Sequence, residues 1–449
     1  MAIWHTRPGR LVALAAGLVV VLAACGQGPA GSAQPSARTG TVIVCELAYY
    51  TGAFADYGPA LTNDVRFPIE EVIDKDPPLG RTWELVSEDI GDDHEGQAAK
   101  TCLEQHGAEI VVSIAHQYRN YREYMMEYWK DHDLPLGPSV HGGAIPVNLG
   151  GKAAEAIFRA QGSDEALGTY GSLYAEKIGA EKIVIFATQV EGFQLAADAA
   201  EKSAEILGLT ILTRLDVPAQ QPSYRAEAQK IADLKPDAVI VQAGSTESAT
   251  LIKQAAEAGL SLTWIGETGW SEAQFIGTLG TAPIASQKSI GFPSFAANKS
   301  TAAWTFFQPL WDAQTDKAYD ATNQYAFSTY DLLVQTALAV EMGGAYRASA
   351  WAPAMFKVGD PPGDVCYTYA DCLKLIREGK DIDYEGVTGP GTYTDGGVNA
   401  VTPAYIPFTL DGAPGEPVLL DAQKGLDLLE QIATKAECDP ENPPNTCTW

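Results

Sequence analysis

From Thr41 onward the chain alternates short runs of β-branched and aliphatic residues with longer stretches in which apolar positions recur at helical spacing. The runs are TVIVCELA (41–48), TWELVSE (82–88), EIVVSI (109–114), KIVIFA (182–187), LTILTRLDV (209–217), DAVIVQA (237–243) and LTWIGE (262–267). Each has the length and residue types of a strand. Between them lie amphipathic stretches such as GQAAKTCLEQHG, EALGTYGSLYAEKIG, FQLAADAAEKSAEILG and ESATLIKQAAEAG, each closed by the glycine that often ends a helix. This alternation predicts parallel sheets with helices on both faces, an α/β, doubly wound architecture. In such sheets ligands sit beyond the carboxyl ends of the strands. The turns at those ends are rich in aromatic and polar groups: AYYTGAFADYG, AHQYRNY, ATQVEGF, QAGSTES and GETGW. Five such turns, drawn from two halves of the chain, predict one shared cleft.

The amino terminus follows a different pattern. His5, Arg7 and Arg10 precede an unbroken apolar run over residues 11–22, and Leu22-Ala23-Ala24-Cys25 follows at once. That order is the signature of an exported precursor, and the run is short for a permanent span of a bilayer core about 30 Å thick. It resembles the lipobox of bacterial lipoproteins, in which the cysteine is acylated and becomes the first residue. Residues 1–25 are thus expected to be a signal peptide with Cys25 as the lipid anchor. Residues 26–40 (GQGPAGSAQPSARTG) hold almost nothing that could enter a core and read as a flexible tether.

Composition narrows the picture further. After removal of the leader about 410 residues remain, more than one core usually serves, so two lobes are expected. A hydrophobic content of 46% excludes disorder, and the formal charge of −27, nearer −29 once two basic leader residues are lost, argues against nucleic acid or an anionic membrane as partner. No later stretch offers 18 uninterrupted apolar residues, so membrane contact is expected through the lipid alone. Seven cysteines less the acylated one leave six in a compartment that permits disulfides. Proximity pairs Cys366 with Cys372 and Cys438 with Cys447, leaving Cys45 for Cys102, one of about fifteen formal pairings. The spacing C-x-x-C and a following histidine are absent, so no metal site is expected.

The stretches YYTGAFADYG, VVSIAHQ with DLPLGPSVHGG, FRAQGSDEALG before KIVIF, LKPDAVIVQAGSTESATLIKQAAEAGL with WIGETGW, SIGFPSF, and DYEGVTGPGTYTDGGVNA occur in one order between residue 41 and about residue 410. In this ordered set the chain resembles the type I periplasmic solute-binding proteins, in particular the branched-chain amino acid and amide binding receptors of ABC transporters. The resemblance implies two lobes joined by three crossings, near 158–163, 291–294 and 388–393. The amino-terminal lobe would comprise residues 41–158 with 292–388, and the carboxyl-terminal lobe 161–290 with 390–435. Residues 436–449 would form a disulfide-closed tail.

It also implies a ligand held between the lobes. Tyr50 and Tyr57 lie in the first turn, where related receptors carry an aromatic over the ligand; Tyr57 packed on the surface beside Pro59 is the alternative. The loop from Ser113 through Ala115, His116, Gln117 and Tyr118 stands where the family supplies small hydroxyl residues and backbone N–H groups to an α-carboxylate. The bulk of His116 and Tyr118 there leans toward a flat or amide-like solute over leucine. Glu267, or Thr268 beside it, falls near the acid that holds a ligand ammonium; an exposed glutamate capping a turn is the other reading. Gln189, Phe193, Gly244, Ser245 and Trp270 complete the candidate wall.

Other signals carry less. Gly26, Gly28 and Gly31 match a dinucleotide fingerprint but follow no strand. His94-Glu95 lacks the second histidine of a zinc protease helix, since residue 98 is alanine. The acidic run from Glu88 to Asp93 lacks the alternation of an EF-hand and reads as a solvated loop capping the next helix. No nucleophile motif is present, and no catalytic residue or cofactor is expected. The expectation is a lipid-anchored, extracytoplasmic binding protein that hands a small solute (an amino acid, amide or small aromatic compound) to an ABC permease. A sensor of the same fold reporting to a signalling partner is the alternative, and an exported hydrolase the alternative of another class.

Overall fold

The computed structural model describes residues 40–51, 58–91, 94–113, 119–132, 156–159, 163–271, 273–315, 317, 320–393, 399 and 401–435. The expected leader and tether, with Cys25, lie outside these residues, as does the tail with Cys438 and Cys447.

Three parallel strands form the first sheet in the order β2-β1-β3: β1 (Val42–Ala48), β2 (Trp83–Asp89) and β3 (Ile110–Ser113). Val44 stands opposite both Leu85 and Ile110, and every β1 residue except Ile43 is buried, as expected of a central strand covered on both faces. Helices α1 (Gly58–Glu71), α2 (Glu95–Lys100) and α3 (Arg119–His132) accompany the strands. α2 runs on into a wider turn over Thr101–Gln105, and there Cys102 is disulfide-bonded to Cys45 of β1. The bond fastens the helix to the central strand.

The second sheet has seven strands in the order β12-β11-β8-β7-β6-β4-β5. Its parallel part comprises β4 (Lys182–Thr188), β5 (Thr210–Val217), β6 (Ala238–Gln242), β7 (Thr263–Ile265) and β8 (Ser289–Phe295). β6 is buried throughout: Ala238 and Ile240 join one core, and Val239 and Val241 join another on the opposite face. α4 (Asp164–Lys177), α5 (Glu191–Leu207), α6 (Arg225–Leu234) and α7 (Ser245–Glu257) supply those faces, with the short α8 (Ala273–Leu279) and α9 (Thr281–Ser286) after β7. α4 starts at Ser163, whose hydroxyl accepts the Ala166 N–H at 3.2 Å, and carries Asp164 and Glu165 in its first turn.

After β8 the chain returns to the first sheet. α10 (Ala302–Asp312) and α11 (Gln324–Gly343) pack on α1 through Phe67, whose ring lies 6.2 Å from Phe307 and 5.1 Å from Trp311, while Phe307 lies 4.9 Å from Tyr330. Aromatic pairs of this kind contribute about 1 kcal/mol each beyond the area they bury. α12 (Ala348–Val358), β9 (Asp364–Cys366), α13 (Tyr369–Arg377) and β10 (Ile382–Tyr384) follow; β9 and β10 pair in parallel, and the second disulfide joins Cys366 to Cys372.

The chain then enters the second sheet again as β11 (Pro403–Pro407), antiparallel to β8, and β12 (Val418–Leu419), antiparallel to β11, and ends with α14 (Ala422–Lys435). The ion pair of Lys424 with Glu176, 2.6 Å, holds α14 to α4. The alternation of strand and helix predicted wholly parallel sheets, so this antiparallel edge is a departure. Its cause is the route of the chain: β11 comes in from another sheet, and no helix intervenes between β11 and β12, so neither strand joins by the helical crossover that parallel pairing needs.

Candidate functional site

The carboxyl ends of the strands carry the candidate residues, and in each sheet hydrogen bonds fix the loops there. At the end of β1, Tyr49 is buried while Tyr50 is 40% exposed, its hydroxyl 2.7 Å from that of Thr62 on α1. Asp89, the last residue of β2, shapes this turn. Its Oδ1 accepts the N–H groups of Tyr50 (2.9 Å), Thr51 (3.1 Å) and Gly91 (3.1 Å), and its Oδ2 accepts the Thr51 hydroxyl at 2.6 Å. Desolvation pushes the Asp89 pKa up, but these donors together outweigh it and hold the carboxyl below its ordinary value. The acidic run was expected to cap the following helix; its Asp92 and Asp93 lie outside the described residues, Asp89 organises the neighbouring β1 turn, and His94 at the start of α2 makes no side-chain capping bond. At the end of β3, the buried Ser113 hydroxyl accepts that of Tyr121 on α3 at 2.7 Å. Tyr57, Ala115, His116, Gln117 and Tyr118 lie outside the described residues.

On the second sheet four of the expected residues come together. Gly244 precedes the first turn of α7, and the Ser245 hydroxyl donates to the carbonyl of Gly269 at 2.8 Å, which ties the turn after β6 to the turn after β7. Glu267 is half-buried; its Oε2 accepts the Gly269 N–H at 2.7 Å, so it does stabilise its own turn. Trp270 is fully buried, stacked on Phe275 with ring centroids 4.5 Å apart, and serves as the floor beneath that turn. Gln189 is exposed after β4, the neighbour of β6, and Phe193 is half-buried in the first turn of α5. Tyr50 belongs to the other sheet.

Between the sheets the chain passes three times, and the passages touch. The Asn399 N–H donates to the Arg159 carbonyl (3.3 Å), the Asn298 N–H to that of Val387 (2.8 Å) and the Ala296 N–H to that of Thr402 (3.0 Å). Arg159 itself is buried. Its desolvation lowers the guanidinium pKa against the opposing pull of Asp164, Glu165 and Tyr121, groups that come from both sides of the junction. Among the described residues no group of histidines, cysteines and carboxylates is disposed to hold a metal, and no helix is long and apolar enough to cross a membrane.

Residues 43–406 match the model of a family described as periplasmic binding protein, a span that runs from β1 to β11 and takes in all three passages. The chain belongs to that family. Solved structures with the same fold include a branched-chain amino acid transporter substrate-binding protein from Streptococcus pneumoniae in complex with isoleucine (18% identity, TM-score 0.65, 85% of this chain and 99% of that one). A leucine-binding protein from Thermotoga maritima aligns equally broadly (15% identity, TM-score 0.67, 85% and 99%). So does an ABC transporter solute-binding protein from R. palustris in complex with benzoate (15% identity, TM-score 0.60, 85% and 96%). No curated protein matches the sequence.

Two residues of this periplasmic binding protein escaped the sequence reading. Asp89 was one; its signal was a carboxylate at the carboxyl end of a strand, where a turn needs its N–H groups satisfied. Asp331 was the other, the one acid in the stretch of α11 that is buried from Ala326 to Val340. Such a group must be hydrogen-bonded by something outside its own helix.

Proposed function

We propose that this protein captures a small solute bearing N–H donors, an amino acid or an amide, between two closing lobes and delivers it to the permease of an ABC importer. The observation that carries the reading is the family match, which runs from β1 to β11 through every connection between the sheets. The wall on the second sheet adds the chemistry. Ser245 commits its one hydroxyl proton to Gly269, so toward a solute it offers only lone pairs, and the Glu267 carboxylate is likewise an acceptor. These two side chains offer acceptors, which suit an ammonium or amide group, while the first-turn N–H groups of α7, uncapped by any side chain, suit a carboxylate; a solute with both groups, isoleucine-like, fits this wall better than a benzoate-like one. Tyr50, together with Tyr57 and the loop bearing His116, would form the opposite wall. Capture proceeds by population shift: open and closed forms interconvert, and a solute favours closure by the contacts it makes with both lobes at once.

Lipidation of Cys25 would keep the receptor at the outer face of the membrane, with residues 26–40 as its tether. The test is a thermal-shift panel of branched-chain and other amino acids, amides, urea and hydroxylated benzoates, followed by small-angle scattering with the best hit. A hundredfold excess over the dissociation constant raises apparent stability by about 2.7 kcal/mol. Stabilisation by an amino acid or amide, with a fall in the radius of gyration, is expected. A carboxylate without N–H groups as the best hit would refute the acceptor argument, and no contraction with any stabilising solute would refute closure.

A further inference from the structure

Asp331 lies in the buried middle of α11, and its carboxylate has no solvent exposure. The hydrogen bonds that hold it come from one passage between the sheets. The Tyr384 hydroxyl donates to Oδ1 at 2.7 Å, and the N–H and hydroxyl of Thr388 donate to Oδ2 at 2.6 and 2.7 Å. Gly386 between them presses on the same carboxylate so closely that a Cβ there would collide with it.

The connections continue outward. Thr388 gives its single hydroxyl proton to Asp331, so its lone pairs receive the Asn399 amide, with Nδ2 at 3.4 Å. Asn399 in turn donates its N–H to the carbonyl of Arg159 in the first passage. Val387, next to Thr388, accepts the N–H of Asn298 in the second. One helical turn along α11, Gln335 accepts the Tyr393 hydroxyl at 2.5 Å and extends the hold. A few hydrogen-bond steps therefore join one carboxylate to all three passages.

We propose that Asp331 is a positioning residue for solute capture: it gathers the three passages into one block fixed to the lobe of the first sheet. Closure then bends the chain only where the passages enter the second sheet, around Ser163, Phe295 and Val401. The inference rests on the reading that the lobes close on a solute. A buried carboxylate is a poor device for stability alone, since apolar residues of similar volume often serve a core as well. What it adds is direction. It accepts only from donors placed at set positions, so it fixes the register of the segment it holds, which packing of apolar side chains does less sharply.

The test is hydrogen exchange by mass spectrometry on the full chain, comparing wild type with Asp331→Asn, whose NH2 group would face donors in place of an acceptor. Exchange over 156–159, 296–298 and 384–393 should rise together by about tenfold or more, the effect of losing a hydrogen bond to a charge. Amides of β4 and β6 should keep their protection. Thr388→Val, which removes the hydroxyl link and leaves the N–H, should loosen the same three segments and carries the test should Asp331→Asn fail to fold. A rise confined to residues around 388, or one spread equally through both sheets, would overturn the proposal. Scattering with L-leucine and with benzoate as probes supplies the functional arm. The probe that contracts wild type should bind Asp331→Asn about tenfold more weakly. Unchanged affinity would also count against the proposal, whereas a wild type that contracts with neither probe counts against the solute reading and leaves exchange to judge the block.

Discussion

Replacing Glu46 with glutamine should make the protein more stable above neutral pH and leave it unchanged below about pH 4. Glu46 sits in the middle of β1 with no solvent exposure; its Oε2 accepts the Ser87 hydroxyl at 2.9 Å, and its Oε1 has no hydrogen-bond partner. Burial raises its pKa from 4.5 to about 7, although the Ser87 hydroxyl and the charge of Arg66 pull it back down. Below pH 4.5 the carboxyl is protonated whether the chain is folded or not, and it contributes nothing. Between 4.5 and about 7 the unfolded chain releases the proton while the folded one keeps it, so stability falls as pH rises and levels off above about 7. A rise of this size is worth about 3 kcal/mol. Glutamine mimics the protonated acid, with its carbonyl toward Ser87 and its NH2 where the partnerless Oε1 stands, and it cannot ionise. Urea unfolding of both proteins from about pH 3.5 to about 8.5, followed by tryptophan fluorescence, should give coincident midpoints at the acid end and a variant ahead by about 3 kcal/mol at the alkaline end. A difference independent of pH would mean that Glu46 is ionised throughout, and the reasoning about its burial would fail.

The two disulfides should differ in weight. Cys45–Cys102 spans 57 residues and Cys366–Cys372 only 6, so loop entropy predicts losses of about 4 and about 2 kcal/mol when each pair is replaced by alanine; equal losses in urea unfolding would show that the loop argument does not govern here. Glu267→Gln should weaken binding of an amino acid ligand by about tenfold or more, as expected when a charged acceptor is lost, with melting temperature nearly unchanged; isothermal titration showing equal affinity would remove Glu267 from the site. Ser163→Ala removes the side-chain acceptor at the start of α4 and should cost about 1 kcal/mol in the same unfolding assay. No loss would mean that water caps that helix equally well.

The parts of this chain that were legible in advance are those in which local pattern and final environment agree. The β-branched runs marked β1 to β7 to within a residue or two, because β1, β3, β4 and β6 are apolar on both faces for most of their length and the flanking β2 and β5 keep β-branched and aliphatic residues between their polar ones. The site was legible only in outline. Position beyond a strand end singled out Ser245 and Glu267, but their bonds to Gly269, and the inward turn of Trp270 onto Phe275, are decided by contact between two loops that no single stretch of sequence displays. The junction was less legible still. DYEGVTGP reads as a turn-rich segment, yet Tyr384, Gly386 and Thr388 within it are all shaped to one carboxylate that lies some fifty residues earlier in α11. Neither half carries meaning without the other. An acid inside a fully buried helical stretch and a glycine-rich segment of hydroxyl donors are each a local inconsistency, and they cancel when brought together. Such paired violations of local pattern mark where a fold spends stability on a particular geometry, and in this chain the pair falls where three passages between the sheets meet.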